Sequence, residues 1–568
     1  MKDILKYTIC LAAATSLASC SFFDVTPQVI CSETFYNTED EVKYGLAGVY
    51  GVMNKEQFYG NYYSIMYANG DDLCYFNRDV QSNFLQYNRH DAATVQVYDI
   101  WTAIYQGIRN ANEFMEAVVK TEFDKDGKYF NEARFLRAYY HFLLAQSWGD
   151  VPLRREAVKT PDEVMCGATP QFEVLTWAAS EMEACLELAD EEVTAQPSRV
   201  TKTTVQGILA RVYLFLAGSS VDGGDKTEFL TKARGFAKDV IDSGKHGLNP
   251  DYSQVFINMI EDKYDTEWHE SMWEAEFLGD RSSAESWSNG RIGDLLGLQS
   301  GNSSSTRFGE FNCNYSYGQY DGSLKLWDLY WQTDRTDDEN ALATITDKRQ
   351  DWNLPPYNYA GNANQPPYGE TSGQCVSGID KTPYVYKNVS TTDDPTAAPA
   401  LRNCGKFRRE VIYEGQKTAK NLYTTINFPI LRYSDVLLMY AEASNELDGP
   451  TQEAYDCVEK VRSRAGIATR AFSDYDKETF RELVRNERGR ELCFESLRRF
   501  DLIRWGIYVQ EMNAYATWTA DPRWAENVNA SRAASIGGSV TARNVLLPIP
   551  SIELGVNKQL SQNSLWAN

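Results

Sequence analysis

Apolar residues recur every three or four positions over much of residues 39–244. This spacing lines one face of an α-helix, and Gly, Pro or Asp follows most of the segments within a few residues, as expected where a helix ends. The pattern predicts helices over residues 111–120, 131–148, 171–189, 204–217 and 228–243.

Two antiparallel helical hairpins are predicted, one among these segments and one further along the chain. The first joins residues 204–217 to 228–243. The second joins residues 433–447 to 451–465 across the turn Asp448-Gly449-Pro450. Hairpins of this length resemble tetratricopeptide repeats, whose period is about 34 residues.

The helical period is lost between residues 249 and 427, where Gly, Ser, Asn, Pro and Tyr dominate. We therefore expect a mostly α fold, in which a tetratricopeptide-like helical scaffold carries an inserted, irregular, loop-rich ligand-binding region. The predicted parts are a signal peptide (1–19), an N-terminal helical part (20–250), the aromatic-rich insertion (251–430), C-terminal helical hairpins (431–510) and an irregular end (511–568).

Aromatic residues are concentrated in the insertion. The chain has 13 Trp, 35 Tyr and 25 Phe, and the insertion holds the six Trp residues Trp268, Trp273, Trp287, Trp327, Trp331 and Trp352. An aromatic face can stack on the C–H face of a sugar ring, while neighbouring polar groups bond to its hydroxyls. The alternative is that the rings fill a second small core, and we expect roughly half of them to be structural.

The charge of the chain argues against nucleic acid as a partner. Lys and Arg number 56 against 79 Asp and Glu, giving a net charge of −23, whereas nucleic-acid affinity depends on clustered positive charge. With only four His residues and no zinc-like cysteine spacing, we expect neither a metal nor another cofactor. Most cysteines downstream of Cys20 are predicted to be small buried residues.

The N-terminus has the plan of a secretory signal: Lys2 and Lys6, then an apolar stretch, then small residues. It ends in Leu17-Ala18-Ser19-Cys20, which resembles the bacterial lipobox, so Cys20 is the predicted lipid attachment site. Several acyl chains on one residue give stable membrane anchoring. Because Ser21 and not Asp follows Cys20, the sequence favours the outer membrane. The alternative is a plain secreted protein.

Four stretches carry a resemblance to a known family. They read NEARFLRAYY with WGDVPL (131–140 and 148–153), LRYSDVLLMYAEA (431–443), NER through RWG (486–506), and LPIP with QN (547–550 and 562–563). Together with the lipobox, they resemble the SusD/RagB family of outer-membrane starch-utilisation-type lipoproteins. One departure is Ser496, where the family commonly has Gly.

The resemblance implies a non-catalytic protein that binds an oligosaccharide at the exterior of a Gram-negative cell. It also implies a partner, a SusC-like TonB-dependent transporter barrel that receives the glycan. Candidate ligand-binding residues lie in two groups, one in a polar loop and one in the insertion: Asp71, Asp72, Tyr75, Asn77 and Arg78, then Trp287, Tyr315, Tyr317, Trp327 and Trp331. The first group is also typical of a helix cap and turn.

Two other functions stay open from the sequence. A peptide-capturing lipoprotein of the same transporter type would use a similar scaffold. A glycoside hydrolase needs only two suitably spaced carboxylates, which composition cannot exclude. The carboxylates of residues 487–504 stand three or four positions from Arg, the spacing of ion pairs along a helix: Glu487 with Arg490, Arg488 with Glu491, and Glu495 with Arg498 or Arg499. We interpret them as structural and not catalytic.

Overall fold

The computed structural model is mostly α-helical. It describes residues 35–78, 84–190, 193, 196–278, 288, 290–299, 316–331, 347–355, 402–409, 423–521 and 528–567. The α-helices are α1 (Glu39–Tyr50), α2 (Val95–Val118), α3 (Lys128–Trp148), α4 (Gln171–Cys185), α5 (Lys202–Ala217), α6 (Lys226–Asp242), α7 (Tyr252–Glu261), α8 (Ile292–Leu295), α9 (Leu324–Trp331), α10 (Lys348–Asn353), α11 (Tyr433–Asp448), α12 (Gln452–Arg464), α13 (Lys477–Leu492), α14 (Arg498–Arg504), α15 (Tyr508–Asn513), α16 (Val528–Gly538) and α17 (Ser551–Val556).

Shorter elements complete the described chain. The strands are β1 (Cys74–Phe76), β2 (Ser271–Ala275), β3 (Tyr320–Gly322) and β4 (Phe428–Arg432). Two π-helical segments cover Glu56–Gly60 and Tyr62–Ala68, and 3₁₀ turns cover Pro161–Val164, Phe472–Asp474, Ala514–Ala520 and Ala542–Val545.

Helix α1 shows how the local sequence defines an element. The Thr38 hydroxyl accepts a hydrogen bond from the Glu41 amide at 3.2 Å, and the Glu41 carboxylate accepts one from the Thr38 amide at 2.9 Å. This capping box satisfies two amides that a helix start leaves unpaired, and replacing such a Thr by Ala costs about 1 kcal/mol. Val42, Leu46 and Val49 then follow one face of the helix and are buried.

The helices pack in a continuous stack. Helix α2 packs on α3, α3 on α4, α4 on α5, α5 on α6, and α6 on α11, while α11 pairs with α12. The stack confirms the predicted helical scaffold and joins its two halves across the insertion. Helix α2 begins before the predicted residue 111, because Val97, Ile100 and Ile104 already follow the helical period and are buried.

Close approach between α2 and α3 depends on Gly107. A Cβ atom at this position would lie 2.6 Å from the ring of Tyr140. Because real Cβ atoms do not approach other atoms so closely, any side chain here would push the two helices apart.

The insertion is more ordered than its composition indicates. Its described residues include α7 to α10, strand β2 and strand β3. Strand β1 pairs antiparallel with β3, with Cys74 opposite Gly322 and Tyr75 opposite Asp321, and β2 pairs antiparallel with β4. The two pairings join the insertion to segments far away in the sequence. For this reason the local sequence pattern did not predict them.

Charged side chains of α13 form a buried network with neighbouring elements. Arg349 contacts Glu487 at 2.6 Å and Glu491 at 3.0 Å, and Arg432 contacts Glu491 at 3.0 Å and Glu495 at 2.7 Å. All five side chains are at most 2% exposed. Buried charges persist only when they are paired and hydrogen-bonded, and here each has at least one partner.

This network corrects part of the ion pairing expected along the helix. The pair of Glu487 with Arg490 is present at 3.1 Å. Arg488, however, binds Asp435 and Asp501, and Glu495 binds Arg432 together with Lys406. Because this helix face points into the protein, its partners come from other elements and not from the next helical turn.

Free cysteines in the described chain are mostly buried, as predicted. Cys74, Cys185, Cys404, Cys457 and Cys493 are buried, and Cys166 is partly exposed. No helix in the described ranges has the length and apolar character needed to cross a membrane. Cys20 and the predicted signal peptide lie outside the described residues.

Candidate functional site

The polar loop predicted from sequence forms the edge of the small β1–β3 sheet. Residues 69–73 turn the chain out of the π-helical segment Tyr62–Ala68, and β1 then places Tyr75 opposite Asp321 of β3. We call Asp71 to Arg78, together with Tyr317 to Gly322, the sheet edge.

Asp72 anchors the inner side of the sheet edge. Its carboxylate accepts hydrogen bonds from Arg498 at 2.8 and 2.9 Å and contacts Lys325 at 2.9 Å. Burial opposes ionisation of Asp72, but Arg498 and Lys325 outweigh it and hold its pKa well below the usual range. The Asp72 side chain is fully buried, so it fixes the loop and has no surface for a ligand.

The neighbouring Asp71 has the opposite electrostatic environment. Burial, together with repulsion from Asp72, raises the pKa of Asp71 to about 8. One of its oxygens accepts a hydrogen bond from the Leu73 amide at 2.8 Å. Two adjacent carboxyl groups therefore differ in charge near neutral pH, as happens when like charges share a buried site.

Tyr75 and Asn77 hold the two strands together through Asp321. The Tyr75 hydroxyl donates to Asp321 at 3.2 Å, and the amides of Asn77 and Asn403 donate to it at 2.6 Å each. Burial raises the pKa of Asp321 to about 6 despite these donors. All four side chains are buried, so Tyr75 and Asn77 support the sheet edge from within.

Arg78 marks the point where the sheet edge reaches solvent. Its guanidinium donates to the Tyr317 carbonyl and to the Asn77 side chain, both at 2.7 Å, and the side chain is partly exposed. Tyr317 is also partly exposed, and the Arg291 guanidinium lies 5.9 Å from its ring. Nearby, the Tyr87 hydroxyl donates to the Arg78 carbonyl, so Arg78 and Tyr317 are held in fixed positions.

Phe84 is an exposed aromatic, close in sequence to Arg78 and Tyr87, that the sequence prediction missed. It is 47% exposed and lies three residues before Tyr87, whose hydroxyl binds Arg78. A lone Phe in a mainly polar stretch soon after the predicted loop is the one sequence feature that could have drawn attention to it.

The aromatic residues predicted from the insertion have different environments. Trp327 is 2% exposed and its ring lies 4.5 Å from the Arg402 guanidinium. It therefore offers no face on which a sugar could stack, contrary to the prediction that it binds a ligand. Trp273 is likewise in the core, beside the rings of Phe135 and Tyr139. Trp331 is the last residue of α9. Trp287 and Tyr315 lie outside the described residues.

The buried carboxylate of Glu487 in α13 is unsuited to donate a proton in catalysis. Burial penalises the charge on Glu487, but Arg349, Arg462 and Arg490 outweigh that penalty and lower its pKa to about 2. A carboxylate held ionised in this way is a poor general acid near neutral pH. Within the described ranges, no group of three or more His, Cys, Asp or Glu side chains is placed to hold a metal ion.

Two family models match the chain. The model described as the SusD family matches residues 269–566, which is more than half of the sequence. The chain belongs to the SusD family. A second model, described as starch-binding and associating with the outer membrane, matches residues 21–214.

Full-length relatives agree with this family membership. SusD-like protein P25 of Formosa agariphila is 25% identical over 595 aligned positions, which span 100% of this chain and 99% of that protein. A SusD-like protein of Bacteroides ovatus is 24% identical, and the match covers 90% of this chain and 84% of the relative.

Solved structures share the fold. A SusD homolog from Bacteroides thetaiotaomicron superposes with a TM-score of 0.76 at 25% identity, covering 94% of this chain and 98% of that one. A laminarin-binding SusD-like protein superposes with a TM-score of 0.62 at 20% identity, and the match covers 93% of this chain and 100% of that one. A structure solved with xylogluco-oligosaccharide superposes with a TM-score of 0.63 at 18% identity, and the match covers 91% of this chain and 97% of that one.

Proposed function

We propose that this SusD family member binds a glycan at the cell surface without catalysing a reaction and delivers it to a SusC-like TonB-dependent transporter. The observation that carries the proposal is the pair of family models, which match residues 21–214 and 269–566. One of these models is described as starch-binding. Of the proteins with the same fold, one is a laminarin-binding SusD-like protein and another was solved with xylogluco-oligosaccharide.

The glycan is expected at the outer side of the sheet edge. The guanidinium of Arg78 and the ring of Tyr317 are partly exposed there and are linked through the Tyr317 carbonyl. We propose that the exposed ring of Phe84, which follows soon after Arg78 in the sequence, joins them. This combination suits sugar recognition, because rings contact the C–H faces while charged groups bond to hydroxyls. We propose that Trp287, Tyr315 and Trp331 extend this surface, while Asp71, Asp72, Tyr75 and Asn77 support it from beneath.

Membrane attachment is proposed to occur through Cys20. Lipid on Cys20 would tether the protein to the outer membrane with the helical scaffold facing the exterior. Labelling with a radioactive fatty acid in cells should mark the intact protein, and Cys20→Ser should abolish the label. A label that survives the substitution would contradict this attachment.

The experiment for the function is a glycan panel with residues 21–568. Electrophoresis in native gels that contain laminarin, xyloglucan or starch should show retardation by one glycan class, and an assay of reducing ends should show no release. Sugar release would indicate a glycoside hydrolase. Retardation by none of the glycans, together with binding of peptides in solution, would favour a peptide-capturing lipoprotein.

A further inference from the structure

A cleft of about 680 Å³ opens among the N-terminal helices, away from the sheet edge. It lies where α1 and α3 begin and α4 ends, and it shares no lining residue with the sheet edge. Its volume lies within the range of roughly 300–1,000 Å³ that is typical of small-ligand sites.

The cleft has an apolar base and exposed rings at its mouth. Val200, Val205 and Phe135 line it and are buried, whereas Phe123 lines it and is 37% exposed. The ring of Tyr129 also lines the cleft and is partly exposed. Rings that border a cleft and remain in contact with solvent offer apolar faces at low conformational cost, as sugar-stacking platforms do.

The turn that presents Tyr129 is rigid. Gly127 has a positive φ of 72°, a conformation that favours glycine. The Asp124 carboxylate accepts hydrogen bonds from the Tyr129 amide at 2.9 Å and from the Phe130 amide at 2.8 Å. The Tyr129 hydroxyl then donates to Glu39 at 3.0 Å, so the ring is held at both ends and a ligand need not order it.

Polar groups of both signs surround the rings. Arg199 donates to Glu132 at 3.0 Å and its guanidinium lies 6.0 Å from the Tyr129 ring. Asp126 and Lys128 line the cleft and are exposed. Carboxylate, ammonium and guanidinium groups can bond to neighbouring hydroxyls of a sugar. Because acidic residues outnumber basic ones in the lining, an anionic ligand is disfavoured and a neutral sugar fits better.

We infer that this cleft is a second glycan site, which takes a short neutral oligosaccharide independently of the sheet edge. The inference rests on the proposed function, because both sites would hold parts of the same glycan. Two separate sites on one scaffold would bind a long polysaccharide more tightly than either site alone, through the high effective concentration of the second contact.

The test is isothermal titration calorimetry of residues 21–568 with oligosaccharides prepared from laminarin, xyloglucan and starch. The intact protein should bind a probe at two sites. Tyr129→Ala should remove one site or weaken it about tenfold, and Phe84→Ala should spare that site. Tyr129→Phe keeps the ring and should retain most of the affinity. Tyr44→Ala is the matched control, because Tyr44 is a 68% exposed tyrosine of α1 that does not line the cleft.

The outcomes separate this inference from the proposed function. One-site binding that Tyr129→Ala leaves unchanged, with thermal stability also unchanged, overturns the second site and leaves the proposed function standing. Absence of heat with every probe overturns both. Binding of a lysine-rich peptide that Tyr129→Ala abolishes, while sugar binding is unaffected, would assign the cleft to peptides and overturn the inference.

Discussion

Two regions of this molecule use similar residues for different purposes. In the α13 network, Arg349, Arg432 and their carboxylate partners are buried, and every charge faces an opposite charge. At the sheet edge, Asp72 follows this rule through Arg498, whereas burial raises the pKa of the neighbouring Asp71 and Asp321. The outer side ends in Arg78, which is partly exposed.

The difference indicates what the recognisable motifs encode. The residues of the third motif hold the insertion against the helical scaffold, since Glu491 contacts Arg349 of the insertion and Arg432 at the end of β4. They therefore specify the shared fold. The residues proposed to select a glycan lie on the outer side of the sheet edge, outside the four motifs, where sequence is free to vary with the ligand.

Removing one charge from the network should give the largest effect. Glu491→Gln leaves Arg349, Arg432 and Arg464 short of a carboxylate that contacts all three. Breaking a buried pair of this kind costs about 3–5 kcal/mol, so the free energy of unfolding measured in urea should fall by that amount.

The matched control for the network is an exposed pair. Arg109 is 61% exposed and lies 3.9 Å from Glu113, so Arg109→Ala should leave the unfolding midpoint nearly unchanged. If Glu491→Gln destabilises the protein no more than Arg109→Ala does, the network is not a principal source of stability.

A smaller loss is expected from Asp72→Asn, which removes the carboxylate that faces Arg498 and Lys325. Asp71 should then ionise more readily, because repulsion from Asp72 contributes to its raised pKa, and this offsets part of the loss. We expect the free energy of unfolding measured in urea to fall by about 2–3 kcal/mol. Retardation by glycan should also weaken, because the sheet edge shifts.

Asp71→Asn is the control at the adjacent position. With a pKa of about 8, Asp71 is mostly protonated at pH 7, so an uncharged amide of the same shape should change stability little. Equal losses for the two substitutions at pH 7 would contradict the assigned charges.

Sequence analysis predicted the scaffold well because its signals are local. The helix that ends at Trp148 and the hairpin that turns at Gly449 have long periodic patterns and clear stops. The pairing of Cys74 with Gly322 has no such signal, because a three-residue strand gains its stability from a partner far along the chain.

The candidate site was predicted only in part for the same reason. Composition selected Asp72 and Trp327 because polar and aromatic residues are common in binding loops, but their burial depends on Arg498 and Arg402, which no spacing rule links to them. Phe84 was missed because a single exposed ring has no periodicity.

Glu274 offers a pH-dependent contrast to Glu491. It is buried without an Arg or Lys partner in the described residues, and burial raises its pKa from 4.5 to about 7. The folded state therefore binds this proton more tightly than the unfolded state, so the contribution of Glu274 to stability is greatest below pH 4.5 and is lost as the pH rises through 7.

Glu274→Gln should remove that fall in stability. The Asn427 amide donates to Glu274 at 3.0 Å while its own oxygen has no partner, so rotation of Asn427 can accommodate the new amide. We expect the variant to be about 2 kcal/mol more stable than the original protein at pH 8 and nearly equal at pH 4. A gain that is the same at both pH values would exclude titration of Glu274 as its cause.

The smallest effect on stability is expected at the outer side of the sheet edge. Phe84→Ala removes a ring that is 47% exposed, so urea unfolding should change by less than about 0.5 kcal/mol. Glycan affinity should fall about tenfold, equivalent to about 1.4 kcal/mol, if the ring contacts sugar. Asp72→Asn is expected to affect both properties, whereas Phe84→Ala should affect binding alone. Unchanged retardation of Phe84→Ala by a glycan that retards the original protein would move the site away from this ring.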